Sequence, residues 1–114
     1  MKKAELTLEI EGKESPRIKV VPAKLEVKKD DTVAWRKKGR DNYVYKIIFP
    51  EHSPFELNEF SVGKEGATKE TPVLYDHTIC GWKRFKYLIM ATDGTRVLYL
   101  DPELIIPKNP KSRE

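Results

Sequence analysis

The chain is poor in the residues that build redox, metal and disulfide chemistry. Among 114 residues there is one cysteine, Cys80, and there are two histidines, His52 and His77. One cysteine cannot close an intramolecular disulfide, so nothing here calls for an oxidising compartment. Long apolar runs are missing as well. No window approaches the roughly 20 apolar residues that a membrane helix needs, which predicts a soluble protein with no membrane span. The first segment, Ala4-Glu5-Leu6-Thr7-Leu8-Glu9-Ile10, is interrupted by glutamates where a signal peptide has its apolar centre, so the expected location is cytoplasmic. Gly-rich phosphate loops, paired-cysteine zinc motifs, a Ser-centred nucleophile elbow and His-Glu-x-x-His are all missing. These absences predict no catalytic residues, no cofactor and no enzymatic activity.

Charge of both signs is abundant. Charged residues make up 35% of the chain, and 22 basic residues against 18 acidic ones leave a net charge of +4, a mild bias toward anionic partners. With 39% hydrophobic residues the chain can still form a core. Its length suits one domain, expected over residues 1–106, with a flexible tail at 107–114.

Period-two alternation dominates. Leu6, Leu8 and Ile10 alternate with polar residues, as do Leu25 and Val27, so each stretch reads as a strand with one wet face. Val33 and Trp35 share a face, as do Tyr43, Tyr45, Ile47 and Phe49, and then Phe85, Tyr87 and Ile89. Trp35, Phe49, Phe85 and Tyr87 are the expected centre of the core. Asp93-Gly94 predicts a tight hairpin between a strand near 84–91 and one near 95–100. Ser53-Pro54-Phe55-Glu56 carries the features of a helix start and predicts a short helical turn near 54–59. "SVGKEGATKETP", residues 61–72, lacks periodicity and reads as an exposed loop. Many short strands joined by turns predict an all-β sandwich or small barrel.

"VVPAKLEVKKDDTVAWRKKGRDNYVYKIIFP", residues 20–50, has a proline before a strand, an acidic residue and threonine at a turn, and a strand ending in tryptophan. "GWKRFKYLIMATDGTRVLYLDPELII", residues 81–106, has a glycine, an alternating aromatic strand and a closing strand after "DP". Together these segments resemble the cupredoxin family, which implies a Greek-key β-sandwich or barrel. The turn at Asp30 departs from the family's usual glycine, but aspartate tolerates a left-handed backbone.

The copper ligands that the resemblance implies do not carry over. Aligning "YKIIF" with the family's His-x-x-x-Phe sets Tyr45 where the first ligand histidine would stand. The aromatic strand sets Ile89 where the cysteine would stand, no histidine follows His77, and Met90 comes too early for an axial ligand. A blue-copper centre needs its His, Cys and His trio, so a copper-free member of the fold is expected.

His77 and Cys80 precede Gly81, at the pole opposite the family's copper site, and His52 follows Phe49-Pro50 toward the same pole. His52, His77 and Cys80 are therefore the candidate ligands of a displaced zinc or cuprous site. The simpler reading is that Cys80, flanked by Ile79 and Trp82, is a packed thiol. A second candidate surface is "WRKKGRDNYVYK", residues 35–46. It sets Arg36, Lys37, Lys38 and Arg40 beside Tyr43 and Tyr45, the combination that holds single-stranded nucleic acid. Against it, the tyrosines are in phase with Ile47 and Phe49, and Asp30, Asp31 and Asp41 dilute the charge. The sequence thus predicts a copper-free, cupredoxin-like module that binds another protein. A displaced metal site and a small nucleic-acid-binding barrel are the alternatives.

Overall fold

Alternation becomes two layers of strands in the computed structural model, which describes residues 2–39, 41–63, 68–81 and 83–106, without the side chains of His77, Glu103 and Ile105. The strands are β1 (Lys3–Glu11), β2 (Arg17–Val21), β3 (Lys24–Glu26), β4 (Thr32–Lys37), β5 (Val44–Ile48), β6 (Glu59–Val62), β7 (Thr68–Pro72), β8 (Lys83–Lys86), β9 (Leu88–Thr92), β10 (Val97–Leu100) and β11 (Glu103–Ile106). The described helical structure is one turn, α1 (His77–Cys80). The protein is all-β, and none of its described helices is long and apolar enough to cross a membrane.

One layer has the order β2-β1-β4-β7. Within it β1 is antiparallel to β2 but parallel to β4, pairing Leu6 with Trp35. The other layer consists of two ladders, β10-β9-β5-β6 and β3-β11-β8. Only Tyr87 separates β8 from β9, and only Asp101-Pro102 separates β10 from β11, so the two ladders run into each other. The Tyr87 amide donates to the Pro102 carbonyl across that junction.

The inner faces meet in one apolar core. Trp35, Tyr45, Ile47 and Ile89 are completely shielded from solvent, and Phe49, Phe85 and Tyr87 nearly so. Trp35 packs edge-on against Phe55, Phe60 and Tyr87, with the Tyr87 ring centroid 5.5 Å away. Phe49 lies 5.1 Å from Tyr87, so three of the four expected core aromatics form one cluster. Phe85 is equally buried but packs against Tyr75 at 5.2 Å.

The turn before β4 is held by Asp31. Its buried carboxylate accepts from the amides of Lys2 and Lys28, both at 3.1 Å, tying the start of β1 to the turn. Asp30 takes a φ of +74°, the left-handed conformation anticipated for it.

Three local expectations are corrected. Residues 54–58 form bends and no helical turn, and Glu59 already belongs to β6. The Ser53 hydroxyl accepts from the Phe55 amide at 3.0 Å and donates to the Leu57 carbonyl at 2.7 Å, spanning a bend where it would otherwise start a helix. Residues 61–72 are not one exposed loop, because β6 extends to Val62 and β7 begins at Thr68, leaving 64–67 outside the described residues. The β9–β10 connection is longer than a two-residue hairpin turn, since Thr92 pairs with Val97. Asp93 organises it by accepting from the amides of Thr95 and Arg96, which hold its carboxyl below the usual range. The expected tail, 107–114, lies outside the described residues.

Candidate functional site

Three regions bear on function, and the first is the buried pair that the cupredoxin resemblance would align with copper ligands. Tyr45 on β5 and Ile89 on β9 both face the core with no exposed surface. The register pairs Ile47 with Ile89 and Tyr45 with Ala91, so Tyr45 and Ile89 are diagonal neighbours on adjacent strands. A phenol and an isoleucine offer nothing to a soft copper ion, so the residues present do not fit the cupredoxin metal. Burial, and then the charges of Asp41 and Glu9 and the neighbouring Tyr43, push the Tyr45 hydroxyl well above its usual value.

Lys37 closes the β4–β5 connection beside this pair. Its side chain is shut away from solvent, and Nζ donates to the carbonyls of Asp41 at 2.9 Å and Tyr43 at 2.7 Å. Asp41 Oδ1 lies 3.0 Å from the same nitrogen, and the Asp41 carboxylate also accepts from the Tyr43 amide. A buried ammonium is tolerable only when its donors are satisfied, and here all three are.

The same geometry bears on the alternative of a nucleic-acid surface, which the sequence already disfavoured. Arg36 and Lys37 belong to β4, and Lys37 points inward. Arg36 is 3.5 Å from Glu5 and Lys38 is 3.7 Å from Glu9, so each has an acidic partner on the sheet surface. Tyr43 and Tyr45 are buried, and Arg40 lies outside the described residues. Within 35–46, the described basic side chains have no exposed aromatic ring beside them.

The second region is the pole of His52, His77 and Cys80. Asp76 caps α1 by accepting from the Thr78 amide and hydroxyl, which together hold its carboxyl below the usual range. Gly81 follows the turn at a φ of +83°, a common way to end a helix. Aspartate at one end and glycine at the other were a readable signal for this turn. Cys80 is exposed, and so is Ile79 at 80%, which corrects the packed-thiol expectation. A single helical turn at the surface has no inner face in which to bury them. The Tyr75 hydroxyl donates to the Gly81 carbonyl at 3.1 Å and is itself raised above its usual value, mainly by burial and then by Cys80 nearby. His52 is exposed at the rim of a cavity of about 440 Å³, with Glu51, Lys83, Lys86 and Asp101 around it. Among the described residues no three His, Cys, Asp or Glu side chains gather as a metal site. The side chain of His77 lies outside the described residues.

The third region escaped the sequence reading. The two layers present very different outer faces. On β2-β1-β4-β7, Lys3 pairs with Glu70, Arg17 and Lys19 with Glu11, and Arg36 with Glu5, giving a surface latticed with opposite charges. On β10-β9-β5-β6, alternation points Val97, Tyr99, Met90, Thr92, Val44 and Ile48 outward, with Lys46 and Glu59 as an ion pair at 3.0 Å. Tyr99 is 62% exposed, Val97 51% and Val44 43%. In a chain that is 35% charged, an outer face this apolar is a departure from the rest of the surface. Its signal was "LIMAT" and "VLYL", two strands without a single charged residue on either face.

The chain matches no protein-family model, and no curated protein is similar to it in sequence.

Proposed function

We propose that this chain is a copper-free, cupredoxin-like sandwich of Greek-key type that serves as a protein-binding or accessory module. The two-layer arrangement supports the fold reading, together with the parallel β1–β4 pair and a last strand that returns beside β3. Loss of copper is supported by Tyr45 and Ile89, neither of which can ligate. The observation that carries the binding role is the weakly charged outer face of β10-β9-β5-β6. Contiguous exposed apolar side chains are costly to keep in water and mark a surface that is covered in use.

The test uses exposed positions, so that folding is not at stake. Val44→Glu and Tyr99→Glu should each abolish retention of the proteins that wild type retains from an extract of its source cells, with an unchanged thermal midpoint. Equal retention by wild type and both variants refutes the reading.

A second reading rests on the exposure of Cys80 and His52, which leaves both side chains accessible to a metal. It makes the chain a zinc or cuprous-ion binder through His52, His77 and Cys80. Native mass spectrometry with added zinc should then show one bound ion, lost in Cys80→Ala and in His77→Ala. Wild type without bound zinc eliminates this reading.

A further inference from the structure

The charge lattice on the outer face of β2-β1-β4 has one uneven place. Thr7 pairs with Val21 on one side and with Arg36 on the other, and Glu9 pairs with Lys19. Beyond β4 the Lys38 amide donates to the Leu8 carbonyl, which continues the same register and brings Lys38 beside Glu9. Two rows result, Val21-Thr7-Arg36 and Lys19-Glu9-Lys38, with residues roughly 5 Å apart along a row and the rows roughly 7 Å apart. Thr7 and Val21 are short where their neighbours are long, so the six side chains enclose a hollow of about 370 Å³. That volume suits a small molecule. Among the described residues, its walls hold three cations and one carboxylate.

The donors of these cations are little used by the protein. Elsewhere on the same face Lys3 and Arg17 make hydrogen-bonded ion pairs, at 2.6 Å and 2.8 Å. In the hollow, Lys19 Nζ stays 3.8 Å from Glu9 and 3.9 Å from Glu11, and Lys38 Nζ stays 3.7 Å from Glu9. Those separations are too long for hydrogen bonds. Arg36 meets Glu5 through one nitrogen at 3.5 Å, which leaves most of its fork open. None of the described hydrogen bonds engages the Thr7 hydroxyl.

We propose that this hollow binds a small phosphate monoester. The dianion matches the excess of two positive charges in the walls. A phosphate seated over Thr7 accepts from its hydroxyl and from the Arg36 fork in the same row, and from the ammoniums of Lys19 and Lys38 in the next row. Val21, 47% exposed, is the apolar contact for the carbon part of the ester. A larger polyanion fits less well. The described surface around the hollow alternates in sign, with Glu5, Glu11 and Glu70 among its basic residues, and offers no continuous positive track for a nucleic-acid backbone. Exposed charge pairs are individually weak, so dissociation constants of roughly 0.1–1 mM are expected at low salt. The hollow lies on the opposite layer from the apolar outer face, so this inference stands apart from the protein-binding reading.

The experiment is a titration of the full chain with phenyl phosphate at low ionic strength, followed through the amide signals in proton–nitrogen NMR spectra. Saturable shifts at Thr7, Lys19, Arg36 and Lys38 are expected. Phenyl sulfate has the same shape with one charge fewer and should bind about tenfold more weakly. Inorganic phosphate lacks the carbon part and should also bind more weakly. Arg36→Gln and Lys38→Gln should each weaken phenyl phosphate binding about three- to tenfold, and Thr7→Val about threefold. Glu9→Gln removes the carboxylate from the hollow and should tighten it. No saturable shift by about 20 mM, or phenyl sulfate or inorganic phosphate bound as well as phenyl phosphate, overturns the inference. So do shifts of equal size at Lys3, Arg17 and Lys24, which mark a diffuse ion atmosphere, and weaker binding in Glu9→Gln. A phosphotyrosine peptide or a single-stranded oligonucleotide that binds more tightly than phenyl phosphate replaces the small ligand by a macromolecule and overturns it as well.

Discussion

Trp35 on β4 donates its indole N–H to the Thr71 hydroxyl on β7 at 2.7 Å, and both side chains are buried. Thr71 also reaches the Val33 carbonyl at 3.3 Å, so one hydroxyl serves the largest core ring and the neighbouring strand. Thr71→Val keeps shape and removes the acceptor, leaving the indole N–H unpaired. The expected cost is about 1–3 kcal/mol in chemical denaturation, with Thr71→Ser close to wild type. Equal stability of the Val variant and wild type would show that the hydrogen bond is dispensable.

At Lys37 the two partners of the ion pair should behave unequally. Asp41→Ala strands a buried ammonium on two carbonyls and should cost about 2–3 kcal/mol. Lys37→Met leaves a carboxylate that is 28% exposed and can be hydrated, so its cost should be smaller. Urea unfolding of the two variants checks the order, and a larger loss in Lys37→Met would contradict it.

Tyr45 and Tyr87 have buried hydroxyls without a hydrogen-bond partner among the described residues. Burial holds both phenols well above their ordinary value of 10.0. The sign follows from which state ionises first. Stability from keeping these groups neutral is complete below the unfolded value near 10 and is lost as pH rises toward the folded values. Tyr45→Phe and Tyr87→Phe should each gain about 1 kcal/mol at neutral pH, and the advantage should widen in alkali. Parallel pH–stability curves for wild type and both variants would rule out this account.

Exposure of Cys80 reverses what its apolar neighbours in sequence suggested. In folded protein a colourless thiol reagent that releases a chromophore should modify Cys80 at a rate of the same order as in denatured protein. Protection by zinc that vanishes in His52→Ala and His77→Ala would instead support the second functional reading.

Much of the architecture was legible because alternation reports directly on a half-buried strand. Leu6, Leu8, Val33, Trp35, Tyr45 and Ile47 announced their faces, and Asp30 announced a left-handed turn. β6 and β7 were hidden for the opposite reason. They are edge strands, and their charges and proline, which keep an edge from pairing, are also the marks of a loop. Ser53 misled because a hydroxyl that can cap a helix can equally bridge a bend. Of the candidate site, the inward facing of Tyr45 and Ile89 was readable from alternation. The exposure of Cys80 was not, since it depends on α1 standing off the core. The apolar outer face could have been read from the lack of charge in β9 and β10, which alternation alone does not register.

The ladder β3-β11-β8 has a consequence for how the chain acquires its structure. Lys24 pairs with Glu103, so the strand that β3, made early, pairs with is β11, near the end of the described residues. The parallel β1–β4 pair adds a second contact that no local turn can nucleate. Loop-closure entropy must be met before such pairings contribute, which puts this topology among slow folders, on the millisecond-to-second side. Neighbouring strands can pair as hairpins at β1–β2, β5–β6 and β9–β10, and during synthesis the apolar strands β9 and β10 emerge after β5, with which β9 pairs. The interval in which they lack their sheet is thereby kept short.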